Sequence, residues 1–313
     1  MAQDLRWECV TVNGWQRFSE WLTPLVVTRR AKVFAWASLV TEIIIVGTGG
    51  AVRLTASGMG CPQWPLCTPG SLVPTPELGF HGIVEFSNRL MSGVVAVVAL
   101  FTFLFLMRLR KSRPELFWLS FCLGILVLVQ AGIGGITVLS NLESYIVGLH
   151  FVLSAIMVVL AAALVWHIFR TGEKHPPLPR WLNALAWIIA TLSAITVTVG
   201  ILTTGAGPHA GDSDTGRNGL PIDLLEHLHA WPAYALFGVT VLALVLVWRA
   251  GFAATRSATL WLLGAELAQI AVGLYQARNG LPALSVGVHM VLSVILLAIA
   301  TFVFLSTTKY RRP

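Results

Sequence analysis

Histidine recurs in this chain inside an apolar octamer that is itself repeated. Val147-Gly-Leu-His150-Phe-Val-Leu-Ser154 returns as Val286-Gly-Val-His289-Met-Val-Leu-Ser293, 139 residues later. Gln130 and Gln269 each lie 20 residues before the histidine of their copy. At nearly the same offset, Glu85-Phe-Ser-Asn88 matches Glu226-His-Leu-His229. Three matches in register argue for a duplicated half, with ionisable groups placed inside apolar helices. Such groups are costly in lipid, so they are functional sites by default. His229 and His289 form a pair at matching depth on helices that the repeat makes neighbours. Two opposed imidazoles can bind one haem iron from both faces, and Ala230, Ala233, Gly287 and Val288 beside them leave room for a flat macrocycle. A lone histidine here would read as a packed polar group, but a pair at equal depth favours haem.

The first copy is asymmetric. It keeps His150 but carries Asn88 where the repeat calls for a second histidine. Asparagine is a poor ligand for haem iron, so this site is five-coordinate, weakly six-coordinate, or completed by another group such as His81, four residues before Glu85. An open iron position marks a place for chemistry, whereas a bis-histidine site suits electron transfer. Glu85 lies one turn from Asn88 and can move protons or stabilise developing positive charge. The plainer reading, a carboxylate favoured at a helix start by the dipole, fits Glu226 better. His209 sits in a glycine-rich loop and reads as solvated, and His227 lies on the same side. His167 and His175 carry no role. Gln130 and Gln269 read as hydrogen-bonding groups between helices, and Gly47, Gly49 and Gly50 as points of close helix contact.

Apolar helices must position these residues. The chain has 313 residues, 56% hydrophobic and only 11% charged, with a mean hydropathy of +0.77. A spanning helix needs about 20 apolar residues. Eight such stretches lack strand-like alternation, so the expected fold is an all-α integral membrane protein of eight transmembrane helices, arranged as two pseudo-twofold-related four-helix bundles. The expected organisation is a cytoplasmic segment 1–31, a first four-helix half 32–170 with an outer loop 53–80, and a linker 171–182. A second half 183–306 with an outer loop 205–224 and a tail 307–313 complete it. Both halves' sites should lie toward the outer face, each below its long loop.

Seventeen of the 21 Lys and Arg residues fall on the side that holds both termini, which leaves Arg53, Arg89, Arg217 and Arg278 on the other. By the positive-inside rule both termini are cytoplasmic. The net charge of +7 is thus a topology signal, with no nucleic-acid partner implied. Residues 1–31 contain Asp4, Glu8 and Glu20 and no apolar core, unlike a signal or transit peptide, which points to a bacterial cell membrane. Cys9 and Cys122 read as free thiols. Cys61 and Cys67 share the first outer loop, an oxidising place, with Pro62 and Pro65 between them favouring a turn. A bridge is expected there, two reduced thiols being the alternative.

These residues resemble a known family. GGAVRLTASGMGCPQWPLC, from Gly49 to Cys67, is similar to the first-span exit and cysteine loop of the haem A synthases. Glu85-Phe-Ser-Asn88-Arg89 resembles their E-x-x-H-R element, with Asn88 in the histidine slot, and the segments around His150, His229 and His289 resemble the other three histidine elements. The resemblance spans roughly residues 33–306. It implies a haem b cofactor bound through its iron by His229 and His289 in the C-terminal half. It also implies haem O as substrate in the N-terminal half, ligated by His150 and flanked by Asn88. Glu85 would be the catalytic carboxylate and Cys61–Cys67 a disulfide. The implied reaction oxidises the C8 methyl group of haem O to a formyl group, giving haem A for terminal oxidases. Implied partners are haem O synthase and a membrane electron acceptor, and exposed apolar helices allow a homo-oligomer. The competing reading is a non-enzymatic dihaem cytochrome b. It explains poorly why one site lacks a ligand while an acid and a cysteine loop guard it.

Overall fold

In a computed structural model, residues 14–170, 179–209, 211–212 and 215–307 are described. Residues 1–13 of segment 1–31, with Cys9, the greater part of the linker with His175, and residues 308–313 of the tail lie outside them. Among the described residues the regular elements are helices, with no strand beyond an isolated bridge of Thr68 to Ser71.

Eight helices are long and apolar enough to cross a membrane. They are α2 (Arg29–Leu54), α3 (Gly79–Leu106), α4 (Pro114–Leu139), α5 (Ser144–Phe169), α6 (Arg180–Ala206), α7 (Ile222–Ala250), α8 (Ala253–Arg278) and α9 (Ala283–Thr307). Local chemistry sets their ends. The Thr28 side chain accepts from the Ala31 N–H at the start of α2, a side-chain cap worth about 1 kcal/mol. Glu143 accepts from the N–H groups of Tyr145 and Ile146 to start α5. Pro114 opens α4, where its missing N–H costs nothing. Gly251, at φ 77°, closes α7 in the left-handed region that glycine tolerates.

One helix was not expected. α1 (Gly14–Leu22) lies in the segment 1–31, which the sequence reads as lacking an apolar core. Its Trp15, Phe18 and Trp21 recur every three residues along one face and are 73%, 50% and 48% exposed. Trp21 meets Phe105 of α3 edge-on, and the Arg30 guanidinium sits 4.4 Å over its ring. A search for 20-residue apolar runs misses such an element, because amphipathic pattern rather than hydropathy defines it.

α2 packs on α3 and α5, α3 on α4, and α4 on α5; α6 packs on α7 and α9, α7 on α8, and α8 on α9. The two sets meet where α9 packs on α2 and α5, and where α5 meets α6. One apolar core joins Leu39 and Val46 of α2, Leu123 of α4 and Val158 and Leu164 of α5 to Val294 and Ala298 of α9. A second joins Ile189, Leu236, Leu262, Leu296 and Val303. A Cβ on Gly47 would stand 3.3 Å from Val291 of α9, so glycine is what lets α2 and α9 close to this distance. Leu128, Trp187 and Trp261 point outward, as a lipid-facing surface requires. The loops after α2, α4, α6 and α8 gather at one end, where the Gly58 N–H donates to Gly211 O and a His209 ring nitrogen to Leu281 O.

Candidate functional site

A cavity of about 470 Å³ lies mainly among the second set of helices, with α2 and α5 at its edge, within the usual range for small-molecule and cofactor sites. His229 of α7 and His289 of α9 line it, with ring centroids 6.1 Å apart and planes at 71°. Metal–nitrogen bonds of about 2 Å on each side would set two imidazole centroids about 6 Å apart, so this spacing suits a shared iron. His229 Nδ1 hydrogen-bonds Thr196 O at 2.9 Å, a bond to a backbone carbonyl that fixes the tautomer and leaves Nε2 as the free donor atom. His289 Nδ1 is buried with no protein partner. The backbone at His289 is held by Gln269 Nε2, which donates to its carbonyl at 3.0 Å. Glycine seats both rings. A Cβ on Gly200 would stand 2.8 Å from His229 Cε1, and one on Gly273 would stand 3.2 Å from His289 Cε1. The donor set and cavity fit a bis-histidine haem.

The seat of His289 recurs at His150. Gln130 Nε2 donates to His150 O at 2.8 Å and to Ser154 Oγ at 2.5 Å. A Cβ on Gly134 would stand 3.2 Å from His150 Cε1, and His150 Nδ1 is also buried without a protein partner. The residue that the repeat relates to His229 differs. Thr48 Oγ1 of α2 donates to Asn88 Oδ1 at 2.7 Å, so the amide oxygen is engaged between helices. His81 Nδ1 shares a 2.9 Å hydrogen bond with Ser57 Oγ, and His81 is exposed near the start of α3.

The cysteine loop closes over this end. Cys61 and Cys67 form a disulfide, both fully buried, with Cα atoms 4.4 Å apart. Glu85, 5% exposed, accepts from the Cys61 N–H at 2.5 Å and from Arg89 Nη2 at 2.6 Å. Arg89 in turn donates to the carbonyls of Cys61, Gln63 and Leu66, each at 2.9 Å. The Glu85–Arg89 pair is therefore a latch that holds the loop on α3. Trp64 from the loop reaches α4, where a Cβ on Gly135 would meet its ring at 2.5 Å.

Several sequence expectations change. His209 is half-buried rather than solvated. Its ring bonds Leu281 O at 2.8 Å, because a glycine-rich loop can fold back onto the neighbouring turn. Ala230 and Ala233 line the cavity, but a Cβ on Gly287 would stand 3.0 Å from Leu54 of α2, and Val288 is 41% exposed, so those two face elsewhere. Glu226 and His227 are exposed at the cavity rim. Cys122 is a free thiol. Two residues were missed. Glu266, midway along α8 and 3% exposed, lines the cavity; its Oε1 accepts from Thr240 Oγ1 at 2.7 Å, and its Oε2 is buried without a protein partner. Arg53 of α2 reaches the same cavity from the other set of helices. A lone acid in mid-span is itself a signal, but neither residue has a mate in the repeat.

Comparison with known proteins follows the same lines. A protein called heme A synthase in Alkalihalophilus pseudofirmus is 26% identical over 195 residues, 62% of this chain and 64% of that protein. One of the same name in Lysinibacillus sphaericus is 35% identical over 150 residues, 47% of each chain. Another in Staphylococcus haemolyticus is 32% identical over 183 residues, 55% of this chain and 58% of that protein. The chain thus spans about half to just under two thirds of the length of these relatives. A family model covers far more, matching residues 32–301. That match takes in the disulfide loop, both histidine seats and all of the spans but the ends of the first and last; the chain belongs to the COX15-CtaA family of cytochrome oxidase assembly proteins.

Proposed function

We propose that this chain is a haem A synthase that oxidises the C8 methyl group of haem O to a formyl group. The observation that carries the reading is a histidine seat built twice, with an opposing imidazole in only one copy. The complete pair suits electron transfer, and the incomplete one suits a substrate whose second iron face stays open. The named relatives and the family support the same activity. We place the two halves as pseudo-twofold-related four-helix bundles in a bacterial cell membrane, with both termini cytoplasmic and the disulfide loop outside.

In this reading, haem b supplies one-electron transfer when bound between His229 and His289. Thr196 O sets the proton on His229 Nδ1, so that Nε2 is the ligating atom, and Gln269 anchors the turn of α9 that carries His289. In the first half, His150 holds the substrate haem from one side. Asn88, tied to Thr48, supplies no imidazole from the other. Glu85 provides negative charge and proton handling beside the substrate, while its bonds to Arg89 and the Cys61 N–H keep the loop closed and water out. Haem O synthase would deliver the substrate, a membrane electron acceptor would take the electrons, and lipid-facing helices allow a homo-oligomer. A dihaem cytochrome b would share the histidines but make no haem A. Expression in a host that makes haem O but no haem A, followed by chromatography of extracted haems, tests the proposal. Haem A in the extract is expected; a dihaem protein with only haem b and haem O would overturn it.

A further inference from the structure

We propose that Arg53, a residue of the first half, binds a carboxylate of the ligand held in the second half's cavity. The inference rests on the reading of that cavity as a haem site and adds to it a ligand-binding group supplied across the interface between halves. Arg53 sits in the last turn of α2. Its side chain crosses to the other half, where Nε donates to His209 O at 2.6 Å and Nη2 to Thr204 O at 2.9 Å. Those bonds use two of five N–H donors and hold the guanidinium on the wall of the cavity that contains His229 and His289.

No counter-charge for the guanidinium is seen among the described residues. Among the described residues the ion pairs are Arg89 with Glu85 and Arg113 with Glu115, and no carboxylate pairs with Arg53. Glu226 lines the same cavity at its rim, yet forms no ion pair with it. Backbone carbonyls satisfy hydrogen bonds but leave a full positive charge in a half-buried place, which is unfavourable without a counter-charge. A ligand carboxylate at the guanidinium supplies that counter-charge through a geometry that favours two parallel hydrogen bonds. A tetrapyrrole with propionate side chains carries this group. The site thereby selects a free-acid macrocycle and sets its acidic edge at the loop end, away from Glu266 at mid-helix.

The placement also links the halves. Thr48, which bonds Asn88, lies on α2 only five residues before Arg53. A ligand that draws on Arg53 therefore pulls on the helix whose Thr48 holds Asn88. A purely structural role, tethering the loop after α6 through its carbonyls, makes no distinction between ligands that differ only in esterification.

That difference is the test. Full-length protein from haem-depleted cells is titrated with haem b and with its dimethyl ester, reading the low-spin bis-imidazole spectrum. The parent should bind the free acid at least ~10-fold more tightly, about 1.4 kcal/mol. Arg53→Gln should bind both equally, and Arg53→Lys, which keeps the charge and guards against loss of folding, should retain part of the preference. A parent without preference, or an Arg53→Gln protein that keeps it, overturns the role of Arg53 while the haem site stands. A parent that forms the spectrum with neither compound overturns the haem reading and this proposal together.

Discussion

Glu85 and Arg89 stand one turn apart on α3, joined at 2.6 Å, and the same guanidinium reaches three carbonyls of the disulfide loop. The pair clasps that loop onto α3, and in the proposed function it is also a charge feature of the substrate site. Arg89→Lys keeps the charge but loses the planar fork that serves four acceptors. It should loosen the loop and leave the second half untouched. Faster hydrogen exchange at residues 61–67, with an unchanged low-spin haem spectrum, is the expected result.

The histidine seats give a paired prediction. Gly200→Ala would put a Cβ 2.8 Å from the His229 ring, and Gly273→Ala one 3.2 Å from the His289 ring. Both should lower haem b occupancy several-fold, Gly200→Ala the more. Gly134→Ala, beside His150, should leave haem b bound and reduce turnover instead. Haem-to-protein ratios by absorbance check all three, and equal haem loss in Gly134→Ala would break the assignment of the two seats.

His289→Ala should abolish the bis-histidine spectrum of purified protein, and His150→Ala should not. The reason is the 6.1 Å pairing of His229 with His289, which has no counterpart at Asn88. An unchanged low-spin spectrum in His289→Ala would sink this pairing.

The repeated histidines with their glutamines, the spans and the disulfide were legible because each leaves a local or periodic mark: an octamer repeated, 20-residue apolar runs, two cysteines in one short loop; the glycines that seat the rings leave none. What escaped lacks such marks. α1 is nine residues long and known only by its aromatic face. Arg53 meets Thr204 and His209 about 150 residues away, and no spacing rule spans that distance. Glu266, like Glu42 on α2, is a single buried acid in mid-span, visible in the sequence but outside the repeat that directed attention to Glu85 and Glu226.

Glu266 gives a stability prediction of unusual sign. A mid-membrane acid with one hydroxyl partner is costly to keep, so its neutral isostere should not harm the fold. Thermal unfolding of Glu266→Gln is expected at or above the parent's temperature. Glu266→Leu, which leaves the fully buried Thr240 hydroxyl to find another partner, should cost about 1–3 kcal/mol. A Glu266→Gln protein that unfolds well below the parent would mean that the acid is there for stability.

The last prediction separates the two carboxylates that the repeat relates. Glu85 is 5% exposed and held by the Cys61 N–H and Arg89; Glu226 is exposed at the cavity rim. If chemistry belongs to the first half, Glu85→Gln should lower haem A formed per haem b by at least ~100-fold, within the range for a general acid or base. Its second-half spectrum should stay intact. Glu226→Gln should cost far less. Because Glu85 also clasps the loop, the Arg89→Lys protein is the needed control: it loosens the same loop with the carboxylate kept. If Glu85→Gln falls no further than Arg89→Lys, the carboxylate acts only as a clasp. If Glu226→Gln is the more damaged, the division of labour between the halves is reversed.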